Sequence, residues 1–139
     1  MSKVYQLSFP GRYDQMERVC HLIGEAAREA GLDETEAGRC QLAVDEACTN
    51  IIEHGYGGED QGTLDLTCQV SAGELVIIIR DHARPFDPSD VPSPNLSATL
   101  DELKVGGLGI YFMRQVMDAV EFSYEDGGNK LVLVKRQQT

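Results

Sequence analysis

A row of polar residues on a predicted helix has the residue types needed for proton transfer and metal binding. Glu46, Asn50 and His54 follow one another at intervals of four residues, which places them along one flank of a helix. A carboxylate there can accept a proton from a hydroxyl or water, and an asparagine side-chain oxygen can bind Mg²⁺. An ordinary solvent-exposed helix flank shows the same spacing, and the pattern alone favours that simpler interpretation.

A second polar segment, Arg80 to Pro88, follows a predicted buried strand. Asp81 ends the strand, and a carboxylate in that position could accept a hydrogen bond from a ligand such as an exocyclic amine. A strand-end aspartate that caps a turn is an equally good interpretation. The acids and the histidine of this region match neither a calcium loop nor a zinc pattern; they are Asp81, His82, Asp87 and Asp90.

The third segment, Gly106-Gly107-Leu108-Gly109, is glycine-rich and runs into a predicted helix. Glycine lets the backbone approach a phosphate, and the first turn of a helix presents free N–H groups with a partial positive charge. An acidic protein could hold a polyphosphate in this way without a basic surface. Lys104 and Arg84 are the two basic residues between Asp81 and Gly109, and each could contact a phosphate or be an ordinary surface charge.

The spacing of apolar residues predicts the elements that carry these segments, in the order β-α-α-β-β-loop-α-β-β. Asp33 and Glu36 form a capping-box pattern that opens the second helix, and Gly55 ends it. Residues 82–98 hold four of the five prolines, which indicates a lid or ligand loop. The predicted strands are 3–9, 63–70, 75–79, 121–124 and 130–135, and the helices are 12–30, 34–54 and one carrying Leu108, Tyr111, Phe112, Val116 and Val120.

This order predicts an α+β fold, a two-layer sandwich in which about three helices cover one face of a mixed or antiparallel sheet. Residues 1–139 are expected to form a single domain, since no linker, repeat or low-complexity tract interrupts them. Strand-helix-strand alternation is missing and no G-x-x-x-x-G-K-[ST] motif occurs, so a doubly wound or P-loop nucleotide fold is excluded.

Composition limits the partners. The 23 acidic and 12 basic residues give a net charge of -11, which disfavours general affinity for nucleic acid or anionic membranes. No apolar run approaches the roughly 20 residues that span a bilayer, and the N-terminus lacks a signal-peptide core, so a cytoplasmic protein is expected. Three of the four cysteines have apolar neighbours and are predicted to be inert buried thiols; the four are Cys20, Cys40, Cys48 and Cys68.

Taken in order, three stretches closely resemble the N, G1 and G2 boxes of the GHKL ATPase superfamily. They are E-A-C-T-N-I-I-E-H, D-H-A-R-P-F-D-P and G-G-L-G-I-Y-F-M-R-Q-V-M-D. The stretch D-E-A-C-T-N-I-I-E-H-G-Y and the ending N-K-L-V-L-V-K are most similar to the RsbW/SpoIIAB branch, the anti-sigma factor serine kinases of bacteria. The resemblance covers nearly the whole chain and implies a Bergerat-type ATP site between the second helix, the G1 loop and the G2 lid.

The resemblance also implies a role for each matching residue. Glu46 falls on the general base, Asn50 on the Mg²⁺-coordinating residue and Asp81 on the residue that binds the adenine amino group. Nucleotide contacts are further implied for Ala83, Lys104, Gly107, Leu108 and Gly109.

Two positions depart from the family pattern. Ala83 stands where the family's D-x-G motif usually has glycine, which leaves the loop geometry and the affinity for adenine open. The family arginine expected before the G2 glycines is out of register, with Val105 nearest and Lys104 beside it, which leaves the γ-phosphate contact open.

The main hypothesis is a serine kinase that uses ATP and Mg²⁺ to phosphorylate a small antagonist protein, with sequestration of a sigma factor as a further expectation. Homodimer formation is expected from the family only. The alternative is a regulatory module that binds ATP as an effector and never hydrolyses it, which would order residues 82–105 and change a partner surface. A metal-dependent hydrolase using His54 and His82 lacks a ligand set of suitable spacing.

Overall fold

The computed structural model describes residues 2–87 and 107–138, and in them three α-helices pack on a five-stranded sheet. All neighbouring strands are antiparallel, in the order β1-β2-β3-β5-β4. The strands are β1 (Lys3–Pro10), β2 (Thr63–Ser71), β3 (Glu74–Asp81), β4 (Ala119–Glu125) and β5 (Gly128–Arg136). The helices are α1 (Met16–Glu29), α2 (Glu34–Asn50) and α3 (Gly107–Val116), with a 3-10 turn at Tyr13–Gln15 and a π-helical turn at Ile51–Gly55.

The core lies between the helices and one face of the sheet. Alternate residues of β2 and β3 are buried on that face, as the period of two predicts for a half-covered sheet. The helices contribute apolar stripes of their own, and the largest fully buried side chains come from both layers; they include Val19, Ile23, Val44, Leu66 and Ile77. The predicted α+β two-layer sandwich is therefore confirmed, with a purely antiparallel sheet among the described strands.

The predicted signals at the α1–α2 connection are present. Gly31 follows α1 with a φ of +90°, a conformation that glycine adopts without strain. Asp33 Oδ1 accepts a hydrogen bond from the Glu36 N–H at 2.7 Å, and Glu36 Oε1 accepts one from the Asp33 N–H at 2.9 Å. This reciprocal capping box fixes the start of α2, the helix that carries Glu46 and Asn50.

Some predicted boundaries were wrong. The first helix begins at Met16, because residues 13–15 form a 3-10 turn. The second helical segment ends at Gly55 as predicted, but its last turn, Ile51–Gly55, is π-helical. Val120 was assigned to the last helix but lies in β4. That helix ends at Val116 because the following backbone pairs with the sheet, where the Asp118 N–H donates to the Val134 carbonyl at 2.8 Å.

Parts of the predicted ligand loop fall outside the described residues. Residues 82–87 are described and residues 88–106 are not. The predicted phosphate contact of Lys104 and the position of Val105 therefore lie outside the described residues. No helix within 2–87 or 107–138 has the length and apolar character needed to cross a membrane. Three cysteines, Cys40, Cys48 and Cys68, are buried as predicted, and Cys20 is half-buried.

Candidate functional site

A cavity of about 350 Å³ lies between the end of α2, the ends of β3 and β5, and α3. Four of the residues singled out from the sequence line it, namely Asn50, His54, Asp81 and Arg84. An apolar pocket with a few convergent polar groups is the usual form of a small-molecule site. Much of its apolar wall comes from Ile51, Phe86, Ile110, Met113, Phe122 and Leu131.

Asp81 presents a buried carboxylate to this cavity. The residue is 4% exposed, and its Oδ1 accepts hydrogen bonds from the Ala83 N–H and from Asn129 Nδ2, both at 2.9 Å. No described residue donates a hydrogen bond to Oδ2. Oδ2 is therefore the oxygen of Asp81 that can accept a hydrogen bond from a ligand amine.

Ala83 supports Asp81 through its backbone but does not itself line the cavity. Its methyl group packs towards Gly55 at the end of the π-helical turn, where a Cβ on residue 55 would lie 3.2 Å from the Ala83 Cβ. The extra methyl that departs from the family glycine is therefore accommodated by a glycine opposite it, and the loop keeps its hydrogen bond to Asp81.

Glu46 and Asn50 meet the first turn of α3. A Cβ placed on Gly109 would lie 3.0 Å from both Glu46 Oε2 and Asn50 Nδ2, so the two helices approach closely at this glycine. Gly107 and Leu108 precede it in the same turn, whose N–H groups have no partners within the helix. The glycine segment and the polar row of α2, which are far apart in sequence, are thus neighbours in space.

The Glu46 carboxyl has a raised pKa. Burial is the main cause, and the negative charges of Asp45 and Glu53 act in the same direction. A raised pKa at a cleft is a common property of groups that exchange protons during catalysis. The helix flank is therefore not an ordinary solvated surface at Glu46.

His54 and His82, the histidines of the hydrolase alternative, face different acids. His54 Nε2 lies 3.8 Å from Glu53, and His82 Nε2 lies 3.9 Å from Asp65. Arg84, one of the two candidate phosphate contacts, lines the cavity and donates to the His54 carbonyl at 3.2 Å. It therefore ties the loop after β3 to the end of α2.

Asn129 is a site residue that the sequence reasoning missed. Its Nδ2 donates both to Asp81 Oδ1 at 2.9 Å and to the Arg84 carbonyl at 2.8 Å, and its Oδ1 accepts from the Phe86 N–H at 2.8 Å. One side chain thus orients the cavity carboxylate and holds the segment that places Phe86 against Phe122, with ring centroids 5.2 Å apart.

Tyr56 was also missed. Its hydroxyl donates to the Thr63 carbonyl at 2.7 Å and accepts from the His82 N–H at 2.8 Å, which fixes the backbone next to Asp81. The contacts of Asn129 and Tyr56 are not visible as a sequence motif, because they join segments that only the folded sheet brings together. The one usable signal was the polar residue type of Asn129 directly after a glycine turn, at the start of a predicted strand.

Comparison with known proteins gives a consistent family. The chain matches the histidine kinase-like ATPase domain over residues 9–135. It is 34% identical over 110 residues to the serine-protein kinase RsbW of Bacillus subtilis (strain 168), and this alignment covers 76% of this chain and 68% of the relative. It is also 34% identical over 92 residues to the serine/threonine-protein kinase BtrW of Bordetella bronchiseptica, covering 66% and 65% of the two chains.

Solved structures agree on the fold. The RsbU and RsbW domains of a Mycobacterium tuberculosis protein align with a TM-score of 0.66 and 15% identity, covering 96% of this chain and 32% of that one. The catalytic domain of the histidine kinase ThkA aligns with a TM-score of 0.59 and 12% identity, covering 99% of both chains. The chain therefore belongs to the histidine kinase-like ATPase domain family, within the GHKL superfamily that its three sequence boxes resemble.

Proposed function

We propose that this protein is an ATP-dependent serine/threonine kinase of the anti-sigma factor type, which phosphorylates a serine of a small antagonist protein. The observation that carries the proposal is the convergence of Glu46, Asn50 and Gly109 beside a cavity that contains Asp81. The relatives named serine-protein kinase, to which the chain is similar over most of its length, support the same activity.

ATP would bind with its adenine against Asp81 and its phosphates towards α3. Asp81 Oδ2 would accept a hydrogen bond from the adenine amino group, while Asn129 holds the other oxygen. The N–H groups of Gly107, Leu108 and Gly109 would face the phosphates, since the first turn of a helix carries unpaired donors and a partial positive charge. Lys104, which lies outside the described residues, is proposed as a further phosphate contact.

Mg²⁺ fits the residues present. The ion prefers oxygen ligands and usually keeps only one or two from protein, with phosphate oxygens and waters completing its shell. Asn50 lines the cavity beside Glu46 and supplies a side-chain oxygen, so Asn50 would hold the ion. When bound, Mg²⁺ would offset the charge of the phosphates during transfer.

Glu46 would act as the general base. Its carboxylate accepts the proton of the substrate serine hydroxyl as that oxygen forms a bond to the γ-phosphorus and the bond to the ADP oxygen breaks. The raised pKa of Glu46 makes it a better proton acceptor than an ordinary glutamate at neutral pH. The products are phosphoserine and ADP.

Its partners would be the antagonist protein and a sigma factor that the nucleotide-bound form sequesters, with the protein working in the cytoplasm as a homodimer. The net charge of -11 suits a basic protein surface and disfavours nucleic acid and anionic membranes.

The experiment is transfer of labelled phosphate from ATP to candidate antagonist proteins from the same genome, with and without a chelator of Mg²⁺. Glu46→Gln should abolish transfer while ATP binding persists. Asp45→Asn is the matched control, because it removes a neighbouring exposed carboxylate but keeps Glu46, and it should retain transfer at a pH well above the pKa of Glu46.

Two results would reject the proposal. Intact ATP binding with no phosphoprotein for any candidate would replace the kinase with the effector-binding alternative. Full transfer by Glu46→Gln would remove Glu46 from the role of base.

A further inference from the structure

Lys135 is a buried lysine far along β5 from the nucleotide site. Only 3% of its surface is exposed, and it continues the inward-facing series of Leu131 and Leu133 towards the helices. Lys135 lies seven residues beyond Gly128, about 23 Å along the strand. A buried lysine in a core position costs free energy unless it makes a specific interaction, so its partner is informative.

That partner is the end of α3. Lys135 Nζ donates to the Val116 carbonyl at 2.8 Å, and no carboxylate of the described residues lies within ion-pair distance of Nζ. Val116 is the last residue of α3, whose final carbonyls lack partners within the helix and carry a partial negative charge. The lysine therefore satisfies an unpaired carbonyl and interacts favourably with the helix dipole.

Two further hydrogen bonds tie the same region to β5. The Asp118 N–H donates to the Val134 carbonyl at 2.8 Å, and the Arg136 N–H donates to Asp118 Oδ2 at 2.6 Å. Because these bonds are directional, they define where the end of α3 lies along the strand.

Apolar packing alone would define that position less well. The buried side chains of α3 and the turn after it are Ile110, Met113 and Met117, and Val116 packs partly buried against the same core. Methionine adapts to small displacements because its side chain is unbranched and flexible. The axial position of α3 therefore depends strongly on the hydrogen bonds at its C-terminal end.

The opposite end of α3 tolerates little displacement. Gly109 lies so close to Glu46 and Asn50 that a Cβ there would be 3.0 Å from each side chain. A helix of ten residues is a rigid rod about 15 Å long, so a shift at Val116 moves Gly109 by a similar amount.

We infer that Lys135 is a positioning residue for the phosphate end of the site: by holding the Val116 carbonyl it sets the distance between the first turn of α3 and the pair Glu46 and Asn50. The inference rests on the proposed function in one respect, namely that the phosphates bind at the first turn of α3.

The first test compares Lys135→Met with Arg136→Met. Methionine keeps the volume of Lys135 but cannot donate to Val116, whereas Arg136 is an exposed basic residue of the same strand whose side chain pairs with Glu74. Lys135→Met should weaken ATP binding about tenfold, equivalent to the loss of one hydrogen bond between the displaced first turn of α3 and the phosphates. AMP binding should be unchanged, because AMP lacks the outer phosphates. Arg136→Met should bind both nucleotides as the parent does.

The second test needs no nucleotide. The amide NMR signal of Gly109 and the side-chain amide signals of Asn50 should shift in Lys135→Met, remain in place in Arg136→Met, and return towards the parent positions in Lys135→Arg, which keeps a charged donor.

Unshifted signals in Lys135→Met would overturn the inference, and so would equal losses of AMP and ATP affinity that follow a lower melting temperature. If the parent protein binds no ATP, the proposed function fails, while the shift of the Gly109 signal still tests the role of Lys135.

Discussion

Gly109 of α3 lies directly against Glu46 of α2, with a Cβ on the glycine placed 3.0 Å from the Glu46 Oε2 oxygen. That separation is shorter than an ordinary carbon–oxygen contact, so a methyl group there requires its neighbours to move by a few tenths of an ångström. The same Cβ would lie 3.0 Å from Asn50 Nδ2. Glycine at this position therefore lets the first turn of a helix approach two polar side chains of another helix.

We expect Gly109→Ala to lose phosphoryl transfer by at least tenfold, because the methyl group must displace Glu46, Asn50 or α3 itself. Stability should change little, since alanine is favoured over glycine within helices by roughly 0.5–1 kcal/mol. Gly38→Ala is the matched control: Gly38 lies within α2 and a Cβ there meets nothing within 4 Å. Steady-state transfer and thermal unfolding of both variants provide the measurement; equal activity of the two variants would contradict the expectation.

The raised pKa of Glu46 predicts the pH dependence of the reaction. A base must be deprotonated to act, so the rate should rise with pH through the pKa of Glu46, with its midpoint above the ordinary glutamate value of 4.5. Asp45→Asn removes one of the two negative charges that raise this pKa and should move the midpoint to lower pH. A pH profile of kcat for the parent and Asp45→Asn measures both effects; a midpoint that does not move would remove Asp45 as a cause.

The stability linkage of Glu46 has a definite sign. Because its pKa is raised in the folded state, the protonated form is favoured by folding relative to the unfolded chain. Relative to the ionised residue, protonated Glu46 therefore adds stability at pH values below its unfolded pKa, and this stability is lost as the pH rises through its folded pKa. A carboxylate with this behaviour opposes folding at neutral pH, which is consistent with a residue retained for chemistry.

Local signals in the sequence predicted the elements well, whereas the site was only partly predictable. The capping box of Asp33 and Glu36 acts within one turn of helix, and it was found where its pattern indicated. Asn129 was missed because its position opposite Asp81 follows from the pairing of β3 with β5, which are not consecutive strands. The closeness of Gly109 to Glu46 is likewise a property of helix packing, for which spacing within either helix carries no information.

Burial predicts the reactivity of the thiols. It raises the pKa of Cys40 and Cys48 to about 12 and that of Cys68 to about 11, so these thiols stay protonated at neutral pH. We expect a disulfide reagent at pH 8 to modify Cys20 in the folded protein and the other three only after unfolding. Mass spectrometry should show one modified cysteine in the folded parent protein and none in the folded control variant Cys20→Ser. Rapid labelling of three or four cysteines in the folded state would contradict the burial of these thiols.

Gly128 permits the close approach of β5 to Asp81. A Cβ on Gly128 would lie 2.1 Å from the Asp81 carbonyl oxygen, a distance that forces the two strands apart next to the cavity carboxylate. Gly128→Ala should therefore weaken ATP binding by at least tenfold and also lower the melting temperature, because the hydrogen bond from Asn129 to Asp81 lies at the same point.

The neighbouring glycine provides the control. Gly127 has a φ of +78° but open space around it, so Gly127→Ala strains the turn by about 1 kcal/mol without displacing Asp81. Its ATP affinity should remain that of the parent once the folded fraction is taken into account. Calorimetric titration with ATP and thermal unfolding separate the two glycines. If Gly128→Ala binds ATP as tightly as Gly127→Ala does, then the approach of β5 to Asp81 is not needed for nucleotide binding.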